Sequence, residues 1–304
     1  MLICREDILK AQKIRSYGDK LEAGFFYRKL NLFFGKFFYQ RNLVKILQLK
    51  VAVHLHLFYL DLLDEFIESL KNIPHKFDLF ITLVDCDQSK IAKIFTIFPN
   101  TKVFSIPNIG RDVGGLIEVI NNIDLNDYDV LIKLHSKKSL HTGFEQKDWR
   151  QRLTGALIGN KFQSALVLSK FCDKKIGMIG SFEDLSFIEL ENRDNFKNFC
   201  KKFEISDEAI FFRGTVFAIR TKILQRFKEK KIILKDFENS DSACPYAFEH
   251  AFGSLCLAQN YKIIALNQID YKRQRKPSKK ITKLKNLFTL GIIKNQSDAN
   301  QPCQ

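Results

Sequence analysis

The side chains best suited to chemistry gather in a few short stretches of this 304-residue chain. His135-Ser136-Lys137-Lys138-Ser139 sets an imidazole, two ammonium groups and two hydroxyls side by side. Asn108-Ile109-Gly110-Arg111-Asp112 places a guanidinium after a glycine, just ahead of Leu116, Ile117, Ile120 and Ile123 at helical spacing. Clustered cations, together with backbone N–H groups exposed at a helix head, are chemistry for a polyanion, a phosphate or diphosphate above all. Piece by piece, the same residues also read as a turn with a helix cap and a solvated lysine loop. Asp85-Cys86-Asp87 brings two carboxylates one residue apart. They leave a divalent metal open without favouring one, so no cofactor and no metal site is expected. There is no Walker A sequence, no G-x-G-x-x-G and no H-E-x-x-H, so the common nucleotide and zinc-protease routes find no support.

Each stretch stands at the end of an apolar run. Val51–Phe58 has strand character and ends at His56 and Tyr59. Leu60, Leu63, Phe66, Ile67 and Leu70 then mark a helix, with Asp61, Asp64, Glu65 and Glu68 between them and Pro74 closing it. Phe77–Val84 leads into Asp85, a short helix spans 88–97, Lys102–Ile106 precedes Pro107, and Asp129–Leu134 runs straight into His135. Four strand–helix units with short links predict an α/β fold, a mainly parallel Rossmann-like sheet flanked by helices with right-handed crossovers. Ligands of such sheets bind beyond the carboxyl ends of the strands, where all these polar clusters fall. His54 and His75 have no constellation around them and read as structural. Downstream, Lys175–Gly180 and Phe211–Arg220 read as strands, Gly214 allowing close backbone approach in the second. Phe248–Phe252 begins a helix ending near residues 260–264.

Composition excludes several classes. At 45% hydrophobic and 27% charged the chain is globular, and no apolar run reaches the roughly 18 residues of a membrane span. Seven scattered cysteines without a C-x-x-C pair suit a reduced, cytoplasmic protein, and acids at Glu6 and Asp7 disfavour a signal peptide. The net charge of +15 sits at the ends: residues 1–50 carry 11 basic and 4 acidic side chains, residues 272–304 carry 9 and one, and the middle balances. Both ends interleave basic with aromatic or aliphatic residues, as at Phe25-Phe26-Tyr27-Arg28-Lys29. An anionic membrane surface is the favoured partner; helices packing their Phe on the core is the competing reading. The neutral middle argues against nucleic acid. Three segments result: a basic aromatic-rich helical 1–50, a body at 51–270 and a basic tail at 271–304.

His56-Leu-Phe-Tyr59, Asn108-x-Gly-Arg-Asp112 and Lys133-Leu-His-Ser-Lys-Lys138, with Trp149-Arg150 downstream, resemble the rhamnan synthesis protein F family of bacterial cell-surface polysaccharide assembly, over about residues 50 to 265. The layout also resembles the nucleotide-sugar half of GT-A glycosyltransferases. That resemblance implies that Asp85 holds the nucleoside and that His56, Tyr59, Asn108, Gly110, Arg111, Asp112, His135, Ser136, Lys137 and Lys138 surround the donor. His135-Ser-Lys137 stands where such enzymes place a metal-binding Asp-x-Asp, so cationic side chains replace the metal on the diphosphate. Trp149, Arg150, Gly214 and Thr215 fall on the acceptor side. Glu249 becomes the candidate general base, the alternative being a helix-N-terminal acid facing the dipole. The implied activity is a peripheral glycosyltransferase at the inner face of the cell membrane. It moves a sugar, with rhamnose suggested only by the family name, from a nucleotide-sugar donor to a polyprenyl- or lipid-linked saccharide. A phosphotransferase using the same basic site, and a non-catalytic glycolipid-binding scaffold, are the alternatives.

Overall fold

The structure, a computed structural model, describes residues 46–84, 88–139, 145–187, 193–204, 210–237 and 243–267, with Gln40, Val44 and Gly143. The tail at 271–304, nearly all of the segment 1–50, and Asp85 lie outside the described residues.

Alternation of side chains decides how the first strand packs. In β1 (Val51–Leu57) Val51, Val53, Leu55 and Leu57 face one layer, and Ala52, His54 and His56 the other, all buried. A 3-10 turn at Leu60–Leu62 leads into α1 (Leu63–Leu70), which buries Leu63, Phe66, Ile67 and Leu70 and holds Asp64 and Glu65 in its first turn. β2 (Phe77–Leu83), α2 (Gln88–Ile97), β3 (Lys102–Ser105), α3 (Arg111–Asn122) and β4 (Val130–His135) complete the expected strand–helix units. Then come α4 (Lys147–Ile158), α5 (Lys161–Phe171), β5 (Ile176–Ser181), β6 (Leu185–Phe187), α6 (Arg193–Phe203), β7 (Ile210–Phe212), β8 (Phe217–Arg220), α7 (Thr221–Glu229), α8 (Ala243–Ala258) and β9 (Lys262–Leu266).

Seven strands form the main sheet in the order β3-β2-β1-β4-β8-β5-β9, and β6 pairs with β7 separately. Within the main sheet β8 alone runs antiparallel to its neighbours, and the β6–β7 pair is antiparallel as well. The result is a Rossmann-like α/β arrangement with helices on both faces. One core lies under α1, α4 and α5 and takes in the wholly buried Ile46. The other, under α3, α6, α7 and α8, absorbs much of the chain's phenylalanine: Phe196, Phe199, Phe217, Phe227, Phe237, Phe248 and Phe252. Among the described residues no helix is long and apolar enough to cross a membrane.

Two downstream expectations are corrected. Phe211–Arg220 is not one strand: Gly214 (φ 85°) and Thr215 (φ 48°) are both left-handed and break it into β7 and β8, which join different sheets. The last helix starts five residues before Phe248, with Pro245 in its first turn, where a missing N–H breaks no helical bond. Glu249 is therefore in the second turn of α8 rather than at its head.

Candidate functional site

Strand register builds the floor of the site. Across β2, β1 and β4, Thr82, His56 and His135 stand level, with Phe80, His54 and Lys133 level two residues earlier. Level residues in a sheet share a face. All six face α3, whose first turn lies directly over the polar strand ends because Gly114 and Gly115 carry no side chain. A Cβ on Gly115 would come within 2.6 Å of both His56 Nδ1 and Thr82 Oγ1, and one on Gly114 would collide with the Ile109 carbonyl oxygen.

That approach sets Asp112 above Lys133 and His135. The Lys133 side chain is wholly buried; its Nζ donates to Asp112 Oδ2 at 2.6 Å and to the Thr215 carbonyl at 2.9 Å, and lies 3.4 Å from His135 Nδ1. Asp112 Oδ2 also accepts from Thr215 Oγ1 at 2.5 Å and lies 3.2 Å from His135 Nδ1. Burial alone would raise the Asp112 carboxyl, but the Lys133 charge and His135 hold it well below the usual carboxylate range. Burial draws Lys133 down, and Asp112 opposes that. Burial also lowers His56 and His135 to about 4 each, so both imidazoles are neutral near pH 7. His54 is not isolated as its sequence setting suggests. Its Nε2 lies 3.0 Å from Thr82 Oγ1, which lies 2.9 Å from His56 Nδ1, so the three form one buried chain.

Thr215 is a β-branched residue in the left-handed region, a conformation that costs about 1–3 kcal/mol and persists only when its surroundings fix it. Lys133 grips its carbonyl and Asp112 its hydroxyl. The turn so held aims the Gly214 N–H at Glu249, whose Oε1 accepts it at 2.7 Å. Burial raises the Glu249 carboxyl to about 7, with the Asp112 charge adding and the Gly214 N–H, Lys137 and Lys133 opposing. A carboxyl group poised near neutrality is suited to accepting a proton.

The remaining candidates divide into rim and scaffold. Gly110 (φ 69°) and Arg111 (φ 54°) make the sharp entry to α3. Arg111 is exposed and reaches α8, donating to Tyr246 Oη at 2.9 Å with its guanidinium 5.0 Å from the ring centre. Asn108 is exposed beside it. Lys137 rests over Trp149, its Nζ 4.6 Å from the ring centre. Ser136 is scaffold: its Oγ accepts the Phe58 and Tyr59 N–H groups at 2.8 Å each. Lys138 is paired with Asp61 at 2.5 Å and lies 5.0 Å from the Tyr59 ring centre. Arg150, expected on the acceptor side, is buried; it forks onto Glu65 with two 3.0 Å bonds and donates to Glu145 at 2.6 Å and to the Lys137 carbonyl at 2.9 Å. Its bond to the Lys137 carbonyl holds the backbone that carries Lys137. The cationic cluster expected at 135–138 is thus narrower. His135 is neutral, Lys138 is paired with Asp61, Lys137 lies over Trp149 and Arg111 reaches Tyr246.

These residues do not suit a divalent cation. His135 Nδ1 and the Ser136 hydroxyl are taken up internally, and Lys137 is itself positive. Among the described residues no three His, Cys, Asp or Glu side chains gather as a metal-binding group. The nucleoside role given to Asp85 lies outside the described residues.

The sequence reading overlooked Lys133 as a site residue, along with Thr82, Tyr246 and Asp184. Lys133 was detectable, since a lysine inside the apolar run Val130-Leu-Ile-Lys-Leu134 must find a buried partner. Asp184, wholly buried after β5, accepts from Trp149 Nε1 at 2.9 Å, Ser181 Oγ at 2.7 Å and Arg152 at 3.1 and 3.2 Å, and nothing in its local sequence signals this.

Comparison with known proteins agrees with the polysaccharide resemblance. Residues 27–261 match the family model described as rhamnan synthesis protein F. The protein WxcX, from two strains of Xanthomonas campestris pv. campestris, is 22% identical over 231 residues, which cover 71% of this chain and 33% of WxcX. The chain thus spans about a third of the length of these curated relatives.

Proposed function

The chain belongs to the rhamnan synthesis protein F family, which gives it a role in polysaccharide synthesis, and from that premise we propose that it is a nucleotide-sugar-dependent glycosyltransferase of GT-A-like design. One observation carries the reading: a carboxylate raised to about 7, fixed by a backbone N–H, stands at the strand ends within electrostatic reach of Lys137. The acceptor hydroxyl attacks the anomeric carbon and gives its proton to Glu249. The bond from that carbon to the diphosphate oxygen breaks, and its electron pair leaves with the nucleoside diphosphate. Lys137 and Arg111 meet the developing charge on the diphosphate, work that a metal does in related chemistry. The acceptor is a lipid-linked saccharide, rhamnose is the favoured donor sugar, and the basic ends hold the protein to the anionic cytoplasmic face of a membrane.

A panel of nucleotide sugars, read by thermal shift and by released nucleoside diphosphate with and without a chelator, tests this. The expected result is one nucleotide sugar that raises the Tm regardless of chelator, an effect lost in Lys137→Ala. If no nucleotide sugar binds, the transferase reading falls and a glycolipid-binding scaffold takes its place. Phosphate release without sugar transfer would point to a phosphotransferase.

A further inference from the structure

Beside the Gly214 turn lies an open cleft of about 520 Å³, within the size range of small-ligand sites. Its wall is built from one buried group. The Asp184 carboxylate, with no exposed surface, receives the Trp149 indole N–H and both forks of Arg152, and Arg213 Nη2 stands 3.9 Å away. The backbone N–H of Arg213 also donates to the Asp184 carbonyl at 2.8 Å. The Asp184 carboxylate thus fixes Trp149 and Arg152 from behind before anything binds, while Glu183 adds a 3.2 Å contact to Arg152 Nε through its carboxylate and accepts from Arg213 Nη2 at 3.2 Å through its carbonyl.

The composition of the lining names the ligand class. Lys147, Arg152 and Arg213 are balanced by Glu145, Asp148 and Asp184, so the lining itself is formally neutral, and the cation nearest its indole is Lys137, over the Trp149 ring. Planar donors, carboxylate acceptors and an indole together match a ligand that presents many hydroxyls around apolar C–H faces. The cleft also adjoins the reacting centre. The Trp149 ring lies 3.4 Å from where a Gly214 side chain would begin, and the Gly214 N–H is the group that holds Glu249.

We infer that this cleft binds an uncharged saccharide segment, and that Asp184 is the positioning residue that sets Trp149 and Arg152 to receive it. The inference rests on the transferase reading for its purpose, the delivery of an acceptor hydroxyl to Glu249, but its binding test does not.

The test is saturation-transfer-difference NMR and calorimetry on the full chain with methyl α-L-rhamnoside, a rhamnose disaccharide and methyl α-D-glucoside, with inorganic phosphate as the anionic probe. A neutral glycoside should bind and resist competition by phosphate. Its Kd should rise at least tenfold in Asp148→Arg, an exposed position on α4 where the fold tolerates a larger side chain, and in Arg152→Gln. Lys174→Ala, on a distant loop, should bind as the wild type does. Displacement of every bound glycoside by phosphate, unchanged saccharide binding in both cleft variants, or no glycoside binding by a protein that turns over a nucleotide sugar would each overturn the assignment. Saccharide binding lost in the cleft variants of a protein that consumes no nucleotide sugar would uphold the cleft and sink the transferase reading alone.

Discussion

Replacing Glu249 by Gln should stabilise the protein in neutral and alkaline solution and leave it unchanged in acid. Burial and the Asp112 charge lift this carboxyl from its ordinary 4.5 to about 7. Between those values the folded chain keeps a proton that the unfolded chain has released, so stability falls as pH rises through the window and stays reduced above it. The shift corresponds to at most roughly 3 kcal/mol, and partial exposure of the side chain to screening solvent brings the expected penalty to about 2 kcal/mol. Glu249→Gln removes the penalty while its amide oxygen still accepts the Gly214 N–H. For a domain of this size that is a gain of about 4–8 °C in Tm. His56 and His135, lowered to about 4 by burial, act in the opposite sense, costing stability as pH falls below their ordinary 6.5. They do so in both proteins and cancel in the difference. Scanning calorimetry of wild type and variant from about pH 4 to about pH 9 should give melting curves that coincide near the acid end and diverge to a plateau above neutrality. A constant offset at every pH, or a wild type more stable than the variant at about pH 8.5, would refute the argument that Glu249 titrates near 7.

Three further substitutions probe the groups that hold that carboxylate. Lys133→Met strands Asp112 among neutral imidazoles and should cost about 3–5 kcal/mol in urea denaturation, with the double variant Lys133→Met/Asp112→Leu recovering most of it. Thr215→Gly relieves a left-handed β-branched residue but gives up a hydrogen bond to a carboxylate worth about 1.5–3 kcal/mol, so a net loss of about 1 kcal/mol is expected by the same assay. In Gly253→Ala the new methyl collides with the Ile210 carbonyl oxygen, pushing α8 off β7, and a loss of about 1–3 kcal/mol should accompany weaker coupling of Glu249 to Gly214.

What could be read from the sequence tracks how local its physical cause is. β1, β2 and β4 follow from mainly apolar runs of six or seven residues and β3 from a shorter one of four, punctuated by helical spacing, and the helix at 88–97 appears where its spacing predicts it. The break at Gly214-Thr215 escaped because a left-handed threonine has no local signature. It exists only because Lys133 and Asp112, 82 and 103 residues away in sequence, hold it. The polar strand ends at His56, Asp112, His135 and Lys137 were legible as a group, since topology alone brings the carboxyl ends of parallel strands together. Their charge states were not. His135 reads as a cation beside two lysines, yet burial makes it neutral; the ion pairs of Lys138 with Asp61 and of Arg150 with Glu65 and Glu145 join segments far apart in sequence and have no local signature. The Asp184 wall depends on three segments meeting and left no trace in any one of them.

The most direct measurement is the rate of nucleoside diphosphate release from the nucleotide sugar that binds, in the presence of a saccharide acceptor, across about pH 5 to pH 9 in wild type and Glu249→Gln. The account predicts that kcat/KM climbs to a plateau with a midpoint near 7 as Glu249 ionises, and that the variant is slower by about 10²–10⁴-fold with no such midpoint. A variant that transfers sugar at the wild-type rate, or a wild type that consumes no nucleotide sugar at any pH, would contradict it.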